Sequence, residues 1–241
     1  NVIIGNNTYV GSNSIIESNV NIGENCVIGS FTTIKNSLIN AHVHIKDGAK
    51  IGVRGFGFIP IKQKNLRTPQ IGKVILEEGV EIGANCTVDR GSVTDTIIGK
   101  NTFLDNQVHV AHNVHIGKNC MIAGQVGFAG STTLGDNVVI GGNSAVQQFT
   151  RIGQMAMIGG MTGVLHDVIP YGLSIGNRNY LQGLNLIGLR RANFENKDIL
   201  GLTEAYKEIF ATKNLKDNLG KLNGEFKENP LAKNVIEFIT K

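Results

Sequence analysis

Three of the six histidines in this 241-residue chain fall inside QVHVAHNVHIG, as His109, His112 and His115. Imidazole titrates near neutral pH and ligates metals through either nitrogen. Such a cluster therefore suggests a metal site, a catalytic site, or a row of solvated side chains. A spacing of three does not choose among these, so the answer lies in the backbone that carries them.

That backbone has a ruler. From Ile98 onward every sixth residue is apolar: Ile98, Leu104, Val110, Ile116, Ile122, Phe128, Leu134, Ile140, Val146, Ile152, Ile158 and Val164. The same step runs through Ile4, Val10, Ile16, Ile22, Ile28 and Ile34, and through Leu76, Ile82 and Val88. Neither the 3.6 period of a helix nor the 2 of an ordinary strand fits it. It fits a solenoid with three short strands per coil, one aliphatic side chain inward from each, and Gly or Asn at the corners. Residues eighteen apart then stack on one face. The register breaks between Ile34 and Ile45, between Val88 and Ile98, and across residues 53–73, which read as an irregular loop extruded from one face.

Composition agrees with that architecture. The chain has 31 glycines, well above the ~7% average, yet it is 41% hydrophobic, so the glycines serve corners rather than disorder. A net charge of +4 is too mild to argue for nucleic acid. No apolar run reaches the ~18 residues that would mark a membrane span, which makes a cytoplasmic protein the default expectation. Cys26, Cys86 and Cys120 recur in one context, ENCVIG, ANCTV and KNCMIA, and read as a structural repeat position rather than a redox or metal site.

After Pro170 the ruler stops. Residues 181–192 and 196–240 carry helical patterns, including Ile199, Leu202, Ala205, Tyr206 and Ile209, with Asn177, Asn196 and Pro230 as punctuation. Helices there would close the open end of the solenoid.

On the ruler the histidines separate. His112, Gly130 and Gln148 form one column, flanked by Ala111, Ala129 and Gln147 on one side and by Asn113, Ser131 and Phe149 on the other. The column is a groove with a histidine at one end, and the unshielded N–H of Gly130 suits a developing oxyanion. His109 and His115 share a repeat phase on neighbouring faces, which argues against one metal within a subunit; a metal shared between subunits stays open. His115 reads as solvated.

These residues bring a family into view. The motifs VEIGANCTVDRG, LDNQVHVAHNVHIG and IAGQVGFAGS within residues 51–140 resemble the N-acyltransferase of UDP-3-O-acylglucosamine. GGNSAVQQF, IGGMTGVLHDVIPYG and GNRNYLQGLNLIGLRR within residues 141–240 resemble the O-acyltransferase of UDP-N-acetylglucosamine. Both are carrier-protein-dependent acyltransferases of lipid A biosynthesis. The resemblance implies a homotrimer of left-handed parallel β-helices, here over residues 1–175, with a small α-helical domain over 176–241. It implies His112 as general base with Gly130 holding the oxyanion, and His109, Asp89, Asn113, Gln148, Asn185 and Arg191 on the substrate. Gly160 and Arg178 would set acyl length. The partners would be acyl carrier protein and a UDP-sugar. No cofactor is implied beyond the phosphopantetheinyl carrier, nor a metal, and the setting would be the cytoplasm of a Gram-negative-type bacterium.

Departures from the O-acyltransferase pattern stand at Asp89, Ser131 and Gln147, where that branch has His, and at Asn113, where it has Asp. The extra N-terminal domain of the N-acyltransferase has no counterpart in this sequence, which favours O-acylation, with N-acylation of UDP-3-O-acylglucosamine as the alternative. A γ-type carbonic anhydrase shares the solenoid but has no use for GNR…GLN…GLRR. A purely structural, ice-binding solenoid would carry flat threonine arrays, and the threonines here are scattered.

Overall fold

The six-residue step closes into a triangular prism. The computed structural model describes residues 1–212 and 214–241, and its body is a left-handed parallel β-solenoid of roughly ten turns followed by five helices. The first face holds strands such as Ile3–Ile4, Thr96–Ile98 and His115–Ile116. The second holds Tyr9–Val10, Phe103–Leu104 and Met121–Ile122, and the third Ile15–Ile16, Thr87–Asp89, His109–Val110 and Gly127–Phe128. Each strand pairs in parallel with its counterpart one coil away, as Val88 does with Val110 and Val110 with Phe128.

All twelve ruler residues from Ile98 to Val164 are at most 3% exposed. Burying each such aliphatic side chain contributes on the order of 1.5–3 kcal/mol. A second inward row lies two residues earlier and is filled by Val, Ala, Thr, Ser and the three cysteines. Several of its polar members donate to a carbonyl of a neighbouring coil. Thr102 Oγ1 donates to the Gly117 carbonyl (2.8 Å) and the Cys120 thiol to that of Gly135 (3.3 Å). Burial pushes the Cys120 thiol up to about 11, so the cysteines are packing residues. In the first coil the inward Ile4 and Val10 are 45% and 36% exposed.

The corners need left-handed backbone, and asparagine commonly supplies it, as at Asn101 (φ 54°) and Asn119 (φ 53°). Asn tolerates this region because its short polar side chain bonds locally. All three breaks of the ruler fall at one corner, where the third face turns into the first. One residue is deleted between the strands Thr33–Ile34 and Ser37–Ile39, four residues are inserted in the 90–95 connection before Thr96–Ile98, and residues 54–73 separate Lys50–Val53 from Val74–Leu76. This last segment is not irregular. It contains an antiparallel hairpin, Phe58–Ile61 with Lys64–Arg67, closed by a two-residue turn and stiffened by the Arg67 guanidinium 4.9 Å from the Phe58 ring centre.

The helical part differs from the sequence pattern at its start. Residues 180–184 are a strand, paired antiparallel with Gly172–Ile175, so the sheet runs past residue 175 to Leu184. The last edge of the second face would otherwise expose unpaired N–H and C=O groups, and pairing it outweighs local helix propensity. Helix α1 then spans Leu186–Arg191, α2 Asn196–Ile209, α3 Leu215–Lys221, α4 Gly224–Glu228 and α5 Pro230–Thr240. These pack Leu189, Ile199, Leu202, Ile209, Leu231 and Val235 into a second core around Ile169 and Tyr171. The buried Tyr171 hydroxyl accepts from the Gln154 and Asn234 amides, both at 2.6 Å, and ties the last coils to α5.

Candidate active site

The even spacing of the histidines places them on a face, a corner and the next face. His109 points outward from the third face and is about half exposed. His112 stands two residues after the inward Val110, at the corner. His115 points outward from the first face, with the Asp95 carbonyl 3.1 Å from its Nε2.

The ring of His112 is oriented by its neighbour. Its Nδ1 lies 2.9 Å from Asn113 Oδ1, and Asn113 has left-handed backbone (φ 62°). Asn113 Nδ2 donates to the Thr94 carbonyl at 2.9 Å, an oxygen that can only accept. The amide is thereby held with Oδ1 toward the ring, where it also accepts from the Ser92 N–H and hydroxyl at 3.2 and 2.8 Å. His112 Nδ1 must then be the donor, which leaves a lone pair on Nε2. That is the tautomer a general base requires.

Gly130 lies one coil above. A Cβ built there would stand 2.6 Å from His112 Cε1 and 2.9 Å from Nε2, so the imidazole occupies space that only glycine leaves free. The Gly130 N–H bonds to no acceptor among the described residues. Gln148, another coil on, is exposed, and Phe149 beside it is 69% exposed.

One coil below, Val88 pairs with Val110, and Asp89 follows it at the end of the strand Thr87–Asp89. The Asp89 side chain is only 8% exposed. Burial raises its pKa above the ordinary carboxylate value, and the charges of His109 and His112 partly oppose that rise. His109 Nε2 is 3.9 Å from Asp89 Oδ2, close enough for charge but too far for a hydrogen bond. Its Nδ1 bonds to Thr87 Oγ1 at 2.7 Å. Gly55, at the base of the hairpin, covers the carboxylate so closely that a Cβ there would meet Oδ2 at 2.8 Å. The Gly55 N–H is held by buried Gln70 (2.6 Å). The sequence pattern did not single out Ser92, Thr94 or Gly55, because inserted segments carry no repeat phase and their only signal was the position of the breaks; Thr87, on the strand Thr87–Asp89, was an outward position with nothing to distinguish it.

The remaining sequence candidates stand elsewhere on the prism. Gly160 is at the corner between the second and third faces, stacked on Gly142 and Gly124. Arg178 is exposed in the turn between Gly172–Ile175 and Tyr180–Leu184. Asn185 caps α1: its Oδ1 accepts from the Gly188 N–H and its Nδ2 donates to the Met155 carbonyl, both at 3.0 Å, so its side chain is engaged within the chain. Arg191 is exposed at the C-terminal end of α1. Met155 marks the corner between the first and second faces. The column of His112, the stack of Gly160 and the cap at Asn185 thus occupy three different edges. Among the described residues no group of three His, Cys, Asp or Glu side chains is placed to hold a metal ion.

Residues 167–241 match the family model described as UDP-N-acetylglucosamine O-acyltransferase, domain 2, and residues 1–36 and 95–130 match that of the bacterial transferase hexapeptide. The solved structure of a UDP-N-acetylglucosamine acyltransferase from Bacteroides fragilis is 31% identical with a TM-score of 0.89, covering 100% of this chain and 93% of that one. The chain belongs to the UDP-N-acetylglucosamine acyltransferase family. The Campylobacter jejuni structure of the same description is 26% identical, with a TM-score of 0.85 over 100% of this chain and 92% of its own. In sequence alone, UDP-3-O-acylglucosamine N-acyltransferases also match this family member. That of Methylorubrum extorquens is 46% identical over 88 residues, 36% of this chain. The match spans about a quarter of the length of that relative, 25%.

Proposed function

We propose that the protein transfers a 3-hydroxyacyl chain from acyl carrier protein to the 3-hydroxyl of UDP-N-acetylglucosamine, a step of lipid A assembly in the bacterial cytoplasm. The observation that carries this is the corner at His112: a base with its free nitrogen outward, held by Asn113 and seated against a glycine. His112 Nε2 takes the proton of the acceptor hydroxyl as its oxygen attacks the thioester carbonyl. The Gly130 N–H faces the oxyanion of the tetrahedral intermediate. The C–S bond breaks and the imidazolium returns the proton to the departing sulfur. In such a site Asp89, His109 and Gln148 line the acceptor side.

A homotrimer completes this reading. The candidate residues stand on three edges of one prism, and packing prisms side by side lets the edge of one face another edge of its neighbour. The acyl tail would then lie along the stacked glycines that end at Gly160, with Arg178 beyond them. Asn185 and Arg191 would approach the nucleotide, the Arg fork suiting a diphosphate.

Asp89, Asn113, Ser131 and the 46% match to N-acyltransferases favour a second reading, N-acylation of UDP-3-O-acylglucosamine by the same proton path. One assay separates the two. Purified protein receives 3-hydroxyacyl carrier protein with either UDP-N-acetylglucosamine or UDP-3-O-acylglucosamine, and product from the first is expected. Product from the second alone would overturn the O-acyl reading.

A further inference from the structure

An amide beside a catalytic imidazole has two ends, and only one of them serves a base. With its oxygen toward Nδ1 it accepts the ring proton and leaves a lone pair on Nε2. With its NH2 toward Nδ1 it donates, and the proton sits on Nε2, where a base needs the lone pair. An ionised carboxylate in that place only accepts. Where an amide replaces such a carboxylate beside a catalytic histidine, the wrong tautomer lowers kcat by about 10⁴. Position 113 is an amide in this chain, and it meets His112 Nδ1 at 2.9 Å. Something other than residue 113 itself has to exclude the unproductive end.

The connection before Thr96–Ile98 does so from both sides. Asn113 Oδ1 accepts from the Ser92 N–H at 3.2 Å and from the Ser92 hydroxyl at 2.8 Å. Asn113 Nδ2 donates to the Thr94 carbonyl at 2.9 Å and to Thr94 Oγ1 at 2.8 Å. The backbone N–H of Asn113 donates to the buried Thr96 Oγ1, also at 2.9 Å. At each end of the amide the shorter bond is the one made by a side chain. Turning the amide over would set its NH2 against the Ser92 N–H and its oxygen against the Thr94 carbonyl, like against like at both ends. The four residues inserted here therefore form a cradle that reads which end of the amide is which.

We propose that Ser92 and Thr94 are positioning residues for the general base. They hold the Asn113 oxygen on His112 Nδ1, and so select the tautomer in which Nε2 can take a proton, without touching the substrate. This rests on His112 as the general base. The requirement is conditional on the amide. A carboxylate at position 113 presents oxygen at both ends, so the selection by Ser92 and Thr94 becomes dispensable.

The test compares wild type, Ser92→Ala, Thr94→Val and the double variant Ser92→Ala/Thr94→Val, each with and without Asn113→Asp. Nitrogen-15 NMR of the neutral imidazoles, with His112 assigned by its loss in His112→Ala, reads which ring nitrogen holds the proton. Wild type should carry it on Nδ1. In the double variant part of the population should move to Nε2, and kcat should fall about tenfold with KM nearly unchanged. Asn113→Asp should return the proton to Nδ1 and restore most of kcat in that background. Should the double variant fail to fold, Ser92→Ala alone should show the same shift in smaller measure. A proton on Nε2 in wild type would overturn the proposal, as would an unmoved tautomer in all the Ser92 and Thr94 variants. A fall in kcat that Asn113→Asp does not restore would overturn it too, and make the connection a scaffold only. Failure of the base assignment is distinguishable, because His112→Ala would then keep its rate while the tautomer still reads the cradle.

Discussion

Two corners of the same prism have had different histories. Where the first face turns into the second, every coil keeps its step, and the left-handed residues are Asn7, Asn25, His42, Gly79, Asn101, Asn119, Asn137, Met155 and Tyr171. Where the third face turns into the first, they are Asn19, Asn36, Asn113, Ser131 and Phe149, interrupted by the hairpin and the 90–95 insertion. The difference follows from where the ladder bonds lie. They run from coil to coil along the faces, so a residue added inside a strand would shift the inward row and turn apolar side chains outward. A residue added at a corner costs little more than loop closure. Corners are therefore where such a solenoid can change, and this corner is where polar groups have collected around His112.

Substitutions paired across this contrast should separate chemistry from scaffold. The largest effect belongs to His112→Ala, which should cut kcat/KM by about 10²–10⁴ while the melting temperature and oligomeric state stay as they were. Next comes Gly130→Ala. Its new methyl would meet the imidazole, so kcat should fall roughly 10²-fold through lost geometry. Gly127→Ala, on the strand just before, meets nothing within 4 Å and should retain the rate; equal losses in both would mean that glycine serves the backbone rather than the ring. Asn113→Ala and Asn119→Ala both place alanine in left-handed backbone and should each cost about 1–2 kcal/mol in denaturant unfolding. Only the first should also slow turnover, by about tenfold, because only Asn113 touches a catalytic ring.

The smallest effect is on stability. Asp89 has its folded pKa raised by burial, so its protonated form is favoured by folding. Stability is highest below its unfolded pKa and declines as pH rises toward the folded one. At neutral pH Asp89→Asn removes a buried charge and should raise the melting temperature by about 1–3 °C, even as it lowers the rate. A melting temperature that falls at pH 7 would show the carboxylate to be a structural ligand after all.

The column of His112, Gly130 and Gln148 was legible because eighteen residues make one coil wherever the ruler is unbroken. The neighbour below was not legible in the same way. Val88 pairs with Val110 and not with the residue eighteen on, because the 90–95 connection shifts the count. Asn113 was visible as a flanking position, but its clamp was hidden, since Ser92 and Thr94 lie in that same phase-less insertion. The strand at 180–184 read as helix because Leu181, Leu184 and Leu186 suit an apolar helical stripe as well as an edge facing the second core.

The sequence by itself determined the coil, the inward row at every sixth residue, the inertness of the cysteines and the separation of the three histidines. Each of these depends on local periodicity, and periodicity is a property of the chain alone. Tertiary structure decided which unpaired sheet edge recruited residues 180–184, which tautomer His112 holds, and that the buried carboxylate of Asp89 stands 3.9 Å from His109 Nε2. These depend on what meets across coils after insertions have moved the register, and on the need of each buried polar group to find a partner in whatever surroundings folding provides.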